Sequence, residues 1–165
     1  MKPRNSVSLV VEEPNWRRRG VELPLVRDAA RLGLLRGAHN QMRGARNQNA
    51  TELTLLLTHD ERLRALNAQF RGIDAPTNVL AFPAAATSEA YLGDVALALG
   101  VAEREAAKAG IGLCAHALHL TVHGVLHLLG YDHVSLREAG IMERLETEIL
   151  HELGLASPYA RIAAE

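Results

Sequence analysis

Five imidazoles fall within the eighteen residues 116–133: His116, His119, His123, His127 and His133. His123 and His127 are four apart, so on a helix they project from one face a single turn apart, near enough for both rings to hold one metal ion. The next position on that stripe lies farther along the axis, so a straight helix supplies two such ligands and not three. Gly130 resolves the difficulty: glycine takes the left-handed conformation that ends helices, and a reversal there folds His133 back toward the same ion. Three neutral imidazoles on Zn²⁺ leave a fourth position for water, the pattern of a catalytic site and not of a closed structural one. An ion so held lowers the pKa of its water toward about 7 and polarises the bond under attack. Ni²⁺, Co²⁺ or Cu²⁺ would accept the same donors.

Two histidines four apart arise by chance; the added glycine and third histidine make the pattern specific. The competing expectation is a hydrogen-bonded histidine cluster without metal. His119 stands one turn before His123 and could replace it in the pair, but a polar lining or hydrogen-bonded core residue is the preferred reading over direct ligation, with support of a ligand or contact with substrate left open. His116, on the same broad stripe, is expected as polar lining. Asp132 could orient a histidine by hydrogen bonding, although a turn residue after Gly130 is equally explained by local geometry. Peptidase helices of the HExxH type carry a glutamate general base after the first histidine; here that position is Gly124, and a proteolytic reading loses its base.

These residues need a scaffold. Apolar spacing of three and four predicts helices over 101–108, 113–129 and 136–153, each followed by a glycine at 110, 130 or 154. A further helix is expected over 25–38 despite Gly33, and another to about Phe70, capped by Asp60 and ended by Gly72. Strands are expected over 6–11, 51–58 and 92–99, with 77–82 between Pro76 and Pro83 as an edge strand. The strands come early and the helices cluster late. The fold class is therefore α+β, with about four strands in a mixed sheet packed against helices, one of them a zincin-like metal-binding helix.

No repeat or long linker divides the 165 residues, so one domain spanning 1–165 is the simplest division. A chain of this length buries roughly 70% of its extended surface and needs no metal merely to fold. A single cysteine, Cys114, forms no internal disulfide and suits a reducing compartment. No apolar run reaches the roughly 18 residues of a membrane span and no signal-type block follows the first residues, so the expectation is a cytoplasmic protein without a membrane partner. The net charge of −1 hides an asymmetry: residues 1–50 hold ten Lys and Arg against four Asp and Glu. Such a basic third could meet RNA, or could simply be a solvated surface.

The run from His123 to His133, HGVLHLLGYDH, resembles the HGxLHLxGYDH signature of the YbeY family of metal-dependent endoribonucleases. Three further blocks carry the resemblance: Leu66 to Gly72 is similar to Leu-Asn-x-x-Tyr-Arg-Gly, Pro76 to Pro83 to Pro-Thr-Asp/Asn-Val-Leu-Ser-Phe-Pro, and Leu92 to Asp94 to Leu-Gly-Asp. Order and spacing agree from about 51 to 155. The resemblance implies that His123, His127 and His133 are zinc ligands, that Arg71 is a basic residue of the active site, and that a cleft lies between the sheet and the metal-bearing helix. It also implies ribosomal RNA and the small ribosomal subunit as partners, with ribosomal proteins or assembly GTPases as further ones. Arg71 alone reads as a surface arginine, but a guanidinium near a metal could hold a phosphate or offset developing negative charge. Thr77 and Asn78 could line the cleft, or simply start a strand. Ala81 replaces the usual serine, and the first 50 residues match no block.

The expected activity is a single-strand-type endoribonuclease acting on ribosomal RNA at the small-subunit 3′ end and in ribosome quality control. The nucleophile is either zinc-bound water or the RNA 2′-hydroxyl. The alternatives are a metal-dependent hydrolase of another substrate, such as a peptidase, and a non-catalytic ribosome assembly factor.

Overall fold

The computed structural model describes residues 5–39, 51–85 and 87–159. Four strands, β1 (Ser6–Val11), β2 (Glu52–Thr58), β3 (Val79–Pro83) and β4 (Tyr91–Ala98), form one sheet in the order β1-β2-β4-β3. β1 is parallel to β2 and β2 to β4, while β3 runs antiparallel along the edge. Pro83 ends that edge strand, where its missing N–H leaves no inner ladder bond unmade.

The helices are α1 (Asn15–Arg18), α2 (Leu23–His39), α3 (Asp60–Arg71), α4 (Leu99–Ala109), α5 (Leu113–Leu128) and α6 (Leu136–Glu152). Alternate β-strand residues separate the two sheet faces. Leu53, Leu55, Leu57, Val95 and Leu97 bury one face in a core with Val26 and Leu34 of α2, Leu118, Val122, Val125 and Leu126 of α5, and Ile149 of α6. On the other face Leu80, Ala96 and Ala98 meet Leu63 of α3 in a smaller core. Each fully buried Leu, Val or Ile contributes about 1.5–3 kcal/mol, so α5, lined by such residues, is held firmly. Gly33, unfavourable for an isolated helix, faces the Val125 side chain and lets α2 lie against α5.

One local expectation is corrected, and one short helix is added. Asp60 does not cap α3; His59 does, its Nδ1 accepting from Arg62 N at 3.3 Å. Asp60 is the first helical residue, and its carboxylate instead accepts from Val101 N and Arg104, tying α3 to α4. The arginine run 17–19 overlaps a short unexpected helix, α1, formed because Trp16 is fully buried and its indole N–H donates to Thr58 O at 2.9 Å. Arg19, Arg31 and Arg36 of the basic third make exposed ion pairs with Glu103, Asp28 and Glu152, each worth little. Among the described residues no single helix is long and apolar enough to cross a membrane.

Gly124 sets the distance between α5 and the sheet. A Cβ there would lie 2.5 Å from Cγ1 of Val95 and 3.2 Å from Cγ2 of Val79. Val95 is stiff at χ1 and cannot swing away. Gly124→Ala is therefore expected to lose about 1–3 kcal/mol in chemical denaturation through overpacking. Adding Val95→Ala should recover part of that loss, giving a combined cost below the sum of the two; full additivity would show that the contact is not responsible.

Candidate metal centre

Because the Gly124 side of α5 is pressed on β3 and β4, His116, His119, His123 and His127 form a half-buried row along it, with successive ring centroids 6.1, 6.3 and 4.5 Å apart. The helix then ends in a glycine turn. Gly130 has φ +97°, Gly130 N–H donates to His127 O, and Tyr131 N–H reaches back to Leu126 O, each at 3.0 Å, which is the Schellman arrangement. Tyr131 is anchored from the far side, its hydroxyl donating to Gly37 O of α2 at 2.7 Å. Five residues later α6 begins with a capping box between Ser135 and Glu138. The short segment that carries His133 is thus fixed at both ends.

The result is a converging trio. His123 Nε2 and His127 Nε2 are 3.0 Å apart, and the His133 ring centroid lies 5.8 and 5.2 Å from theirs. One nitrogen from each ring falls within 4.8 Å of the others. Zinc–nitrogen bonds of 2.0–2.1 Å in a tetrahedron require nitrogens about 3.3 Å apart, so the donor set could hold such an ion with small adjustments. Burial, reinforced by the neighbouring His123 and His133, lowers the pKa of His127 and favours the neutral ring that a metal needs. Asp132 sits beside the third ring: its Oδ1 accepts from His133 N at 2.7 Å and lies 3.9 Å from His133 Nδ1.

Behind the trio is a carboxylate. Glu146 of α6 is fully buried. Its Oε1 faces His123 Nδ1 at 2.5 Å, while Oε2 faces His119 Nε2 at 3.0 Å and accepts from the Tyr159 hydroxyl. Burial alone would raise its pKa, but the hydrogen bonds from His119 and His123, the His123 charge and the Tyr159 hydroxyl outweigh it and hold the carboxyl at about 2. Burial and the adjacent carboxylate push the Tyr159 phenol well above its ordinary range. Neither Glu146 nor Tyr159 was expected from the sequence. A signal existed for the first: Glu146 interrupts the α6 stripe formed by Met142, Leu145, Ile149 and Leu150, where an acid is costly unless paired.

The other candidate residues lie elsewhere. Asn78 precedes β3; its amide donates to Glu105 at 3.1 Å, and Glu105 in turn contacts His116 Nε2 at 2.7 Å. That chain ties the edge strand to α4 and α5. Thr77 stands beside it, ahead of the strand. Arg71 is the exposed last residue of α3, on the sheet face opposite the buried side of α5, and has no ion-pair partner among the described residues. From there residues 72–78 lead to Val79, whose side chain approaches Gly124.

Replacing Gly130 by Ala forces a side chain into a left-handed turn at about 1–2 kcal/mol. His133 should be displaced while His123 and His127 stay on their helix. Titration with a divalent metal is expected to show binding up to about tenfold weaker with helical circular dichroism retained; unchanged affinity would show that the turn does not place the third ring.

Comparison with known proteins agrees with this layout. The family model for the endoribonuclease YbeY matches residues 32–154. A Rhodospirillum rubrum protein named endoribonuclease YbeY is 53% identical over 117 residues, covering 66% of this chain and 58% of its own length, so the match spans less than two thirds of that relative. A Maricaulis maris protein of the same name is 40% identical over 155 residues, covering 94% of this chain and 92% of the relative. The solution structure of a Thermotoga maritima protein shares the fold, with a TM-score of 0.55 at 20% identity over 90% of this chain and 91% of the other. With the family model spanning most of its length and the four-stranded α+β scaffold in place, the chain belongs to the YbeY endoribonuclease family.

Proposed function

We propose that the protein is a metal-dependent endoribonuclease that cleaves phosphodiester bonds of ribosomal RNA, at the 3′ end of the small-subunit RNA, in association with the small ribosomal subunit. The observation that carries this reading is the convergence of His123, His127 and His133 on one point in a chain of this family. These three rings would hold the ion, zinc by preference, with nickel or another divalent metal as a substitute. When bound, it supplies Lewis acidity toward water and the phosphoryl oxygens.

The chain's own residues define the rest. The lowered pKa of His127 and the turn at Gly130 keep the three donors close enough to meet at one point after small adjustments. Arg71, free of carboxylate partners among the described residues, offers a planar cation suited to bidentate contact with a phosphate. The peptidase alternative meets a steric obstacle: a glutamate at 124 would have to pass through Val95.

His127→Ala is expected to lose both bound metal and cleavage of a structured RNA substrate, with casein untouched by either protein. A folded His127→Ala variant that restores ribosome maturation in cells lacking the wild-type chain would overturn the catalytic reading in favour of an assembly factor. Arg71→Ala should reduce cleavage with metal content unchanged. Loss of zinc from that variant would undermine the phosphate role. The ends of the product distinguish the nucleophile: a 2′,3′-cyclic phosphate reports attack by the 2′-hydroxyl.

A further inference from the structure

Glu146 is a buried acid with no Lys or Arg partner among the described residues; its described polar contacts are two imidazoles and a phenol. An apolar residue would serve the α6 core better at this position, since the desolvation of a carboxylate is large and replacement of buried charges by well-packed apolar groups is often neutral or stabilising. We propose that Glu146 is a positioning residue for the metal centre, fixing the tautomer and orientation of His123 so that Nε2 is presented as a lone pair, with His119 and Tyr159 holding the carboxylate in place. The inference rests on the three-histidine site proposed above and extends it to the shell behind the ligands.

A neutral imidazole has one N–H and one lone pair. An acceptor-only carboxylate oxygen 2.5 Å from His123 Nδ1 requires the N–H on that nitrogen. The lone pair is left on Nε2, the atom 3.0 Å from His127 Nε2 and aimed at the common point. The two carboxylate oxygens divide the work. Oε1 serves His123, while Oε2 is occupied by His119 Nε2 and the Tyr159 hydroxyl, which prevents the carboxylate from rotating away.

Tyr159 extends this support to the C-terminal side of α6 and lies outside the segment 32–154 matched by the family model. Its seat is built by Ser157, whose Oγ accepts from Tyr159 N and lies 3.2 Å from Thr147 Oγ1. The packing of the chain after α6 is thereby linked to a ligand of the metal centre. The rival reading of the same atoms is a second metal site, because His119, His123 and Glu146 also bring three ligand atoms within 4.8 Å.

The test uses the full-length chain, zinc as probe and a chromophoric chelator as competitor. Glu146→Gln is expected to bind zinc about 10–100-fold more weakly than wild type, the usual range for loss of a partner behind a ligand, with apo-protein thermal unfolding largely retained. Tyr159→Phe should weaken binding less, in the same direction. Long-range ¹H–¹⁵N spectra of histidine-labelled wild type, which need no variant, should show His123 protonated on Nδ1 with zinc bound. Wild-type affinity in Glu146→Gln, protonation of His123 on Nε2, or two zinc ions per chain would each overturn the inference while leaving the three-histidine site standing. Wild-type protein that takes up no zinc would instead bring down that site, and this inference with it.

Discussion

The approach of α5 to the sheet at Gly124 is the constraint on which the rest of the structure depends. With no side chain between the helix backbone and Val95, α5 sits deep enough to be packed by β3, β4, α2 and α6. Its histidine row is thereby set at a fixed height and rotation. The same glycine occupies the position that HExxH peptidase helices give to a catalytic glutamate, so one residue both seats the helix and leaves no peptidase-type base there. Packing and chemistry are decided together there.

The turn after α5 shows how little local structure is needed to complete the ligand set. The left-handed glycine, two backbone hydrogen bonds, the Tyr131 anchor on α2 and the capping box of α6 confine His133 to a short, doubly tethered segment. Residues of α2 supply the wall against which the turn is held, while its Arg31 and Arg36 form ordinary exposed pairs.

A buried carboxylate in an apolar helix stripe is costly, and it persists because two imidazoles and a phenol satisfy it. The desolvation of Glu146 opposes its ionisation, while imidazole and phenol donors favour it by more. That balance is a property of four side chains from α5, α6 and the segment beyond. It exists only when those elements are packed together.

The sequence by itself determined the element order apart from the short α1, the edge position of β3, the helical row of histidines and the reversal at Gly130. Each of these rests on periodicity, proline and glycine chemistry, or a spacing of four, and such signals are local in the chain. The capping box at Ser135 and Glu138 and the acid within the α6 stripe were written there too, although their use depended on neighbours far away in sequence. Only the tertiary structure decided that His119 supports Glu146, that Asn78 is committed to Glu105, that Asp60 is taken up by Val101 and Arg104 of α4, and that Gly124 faces Val95. The physical reason is common to all four: each choice depends on which partner comes within about 3 Å, and the chain brings those partners together only on folding.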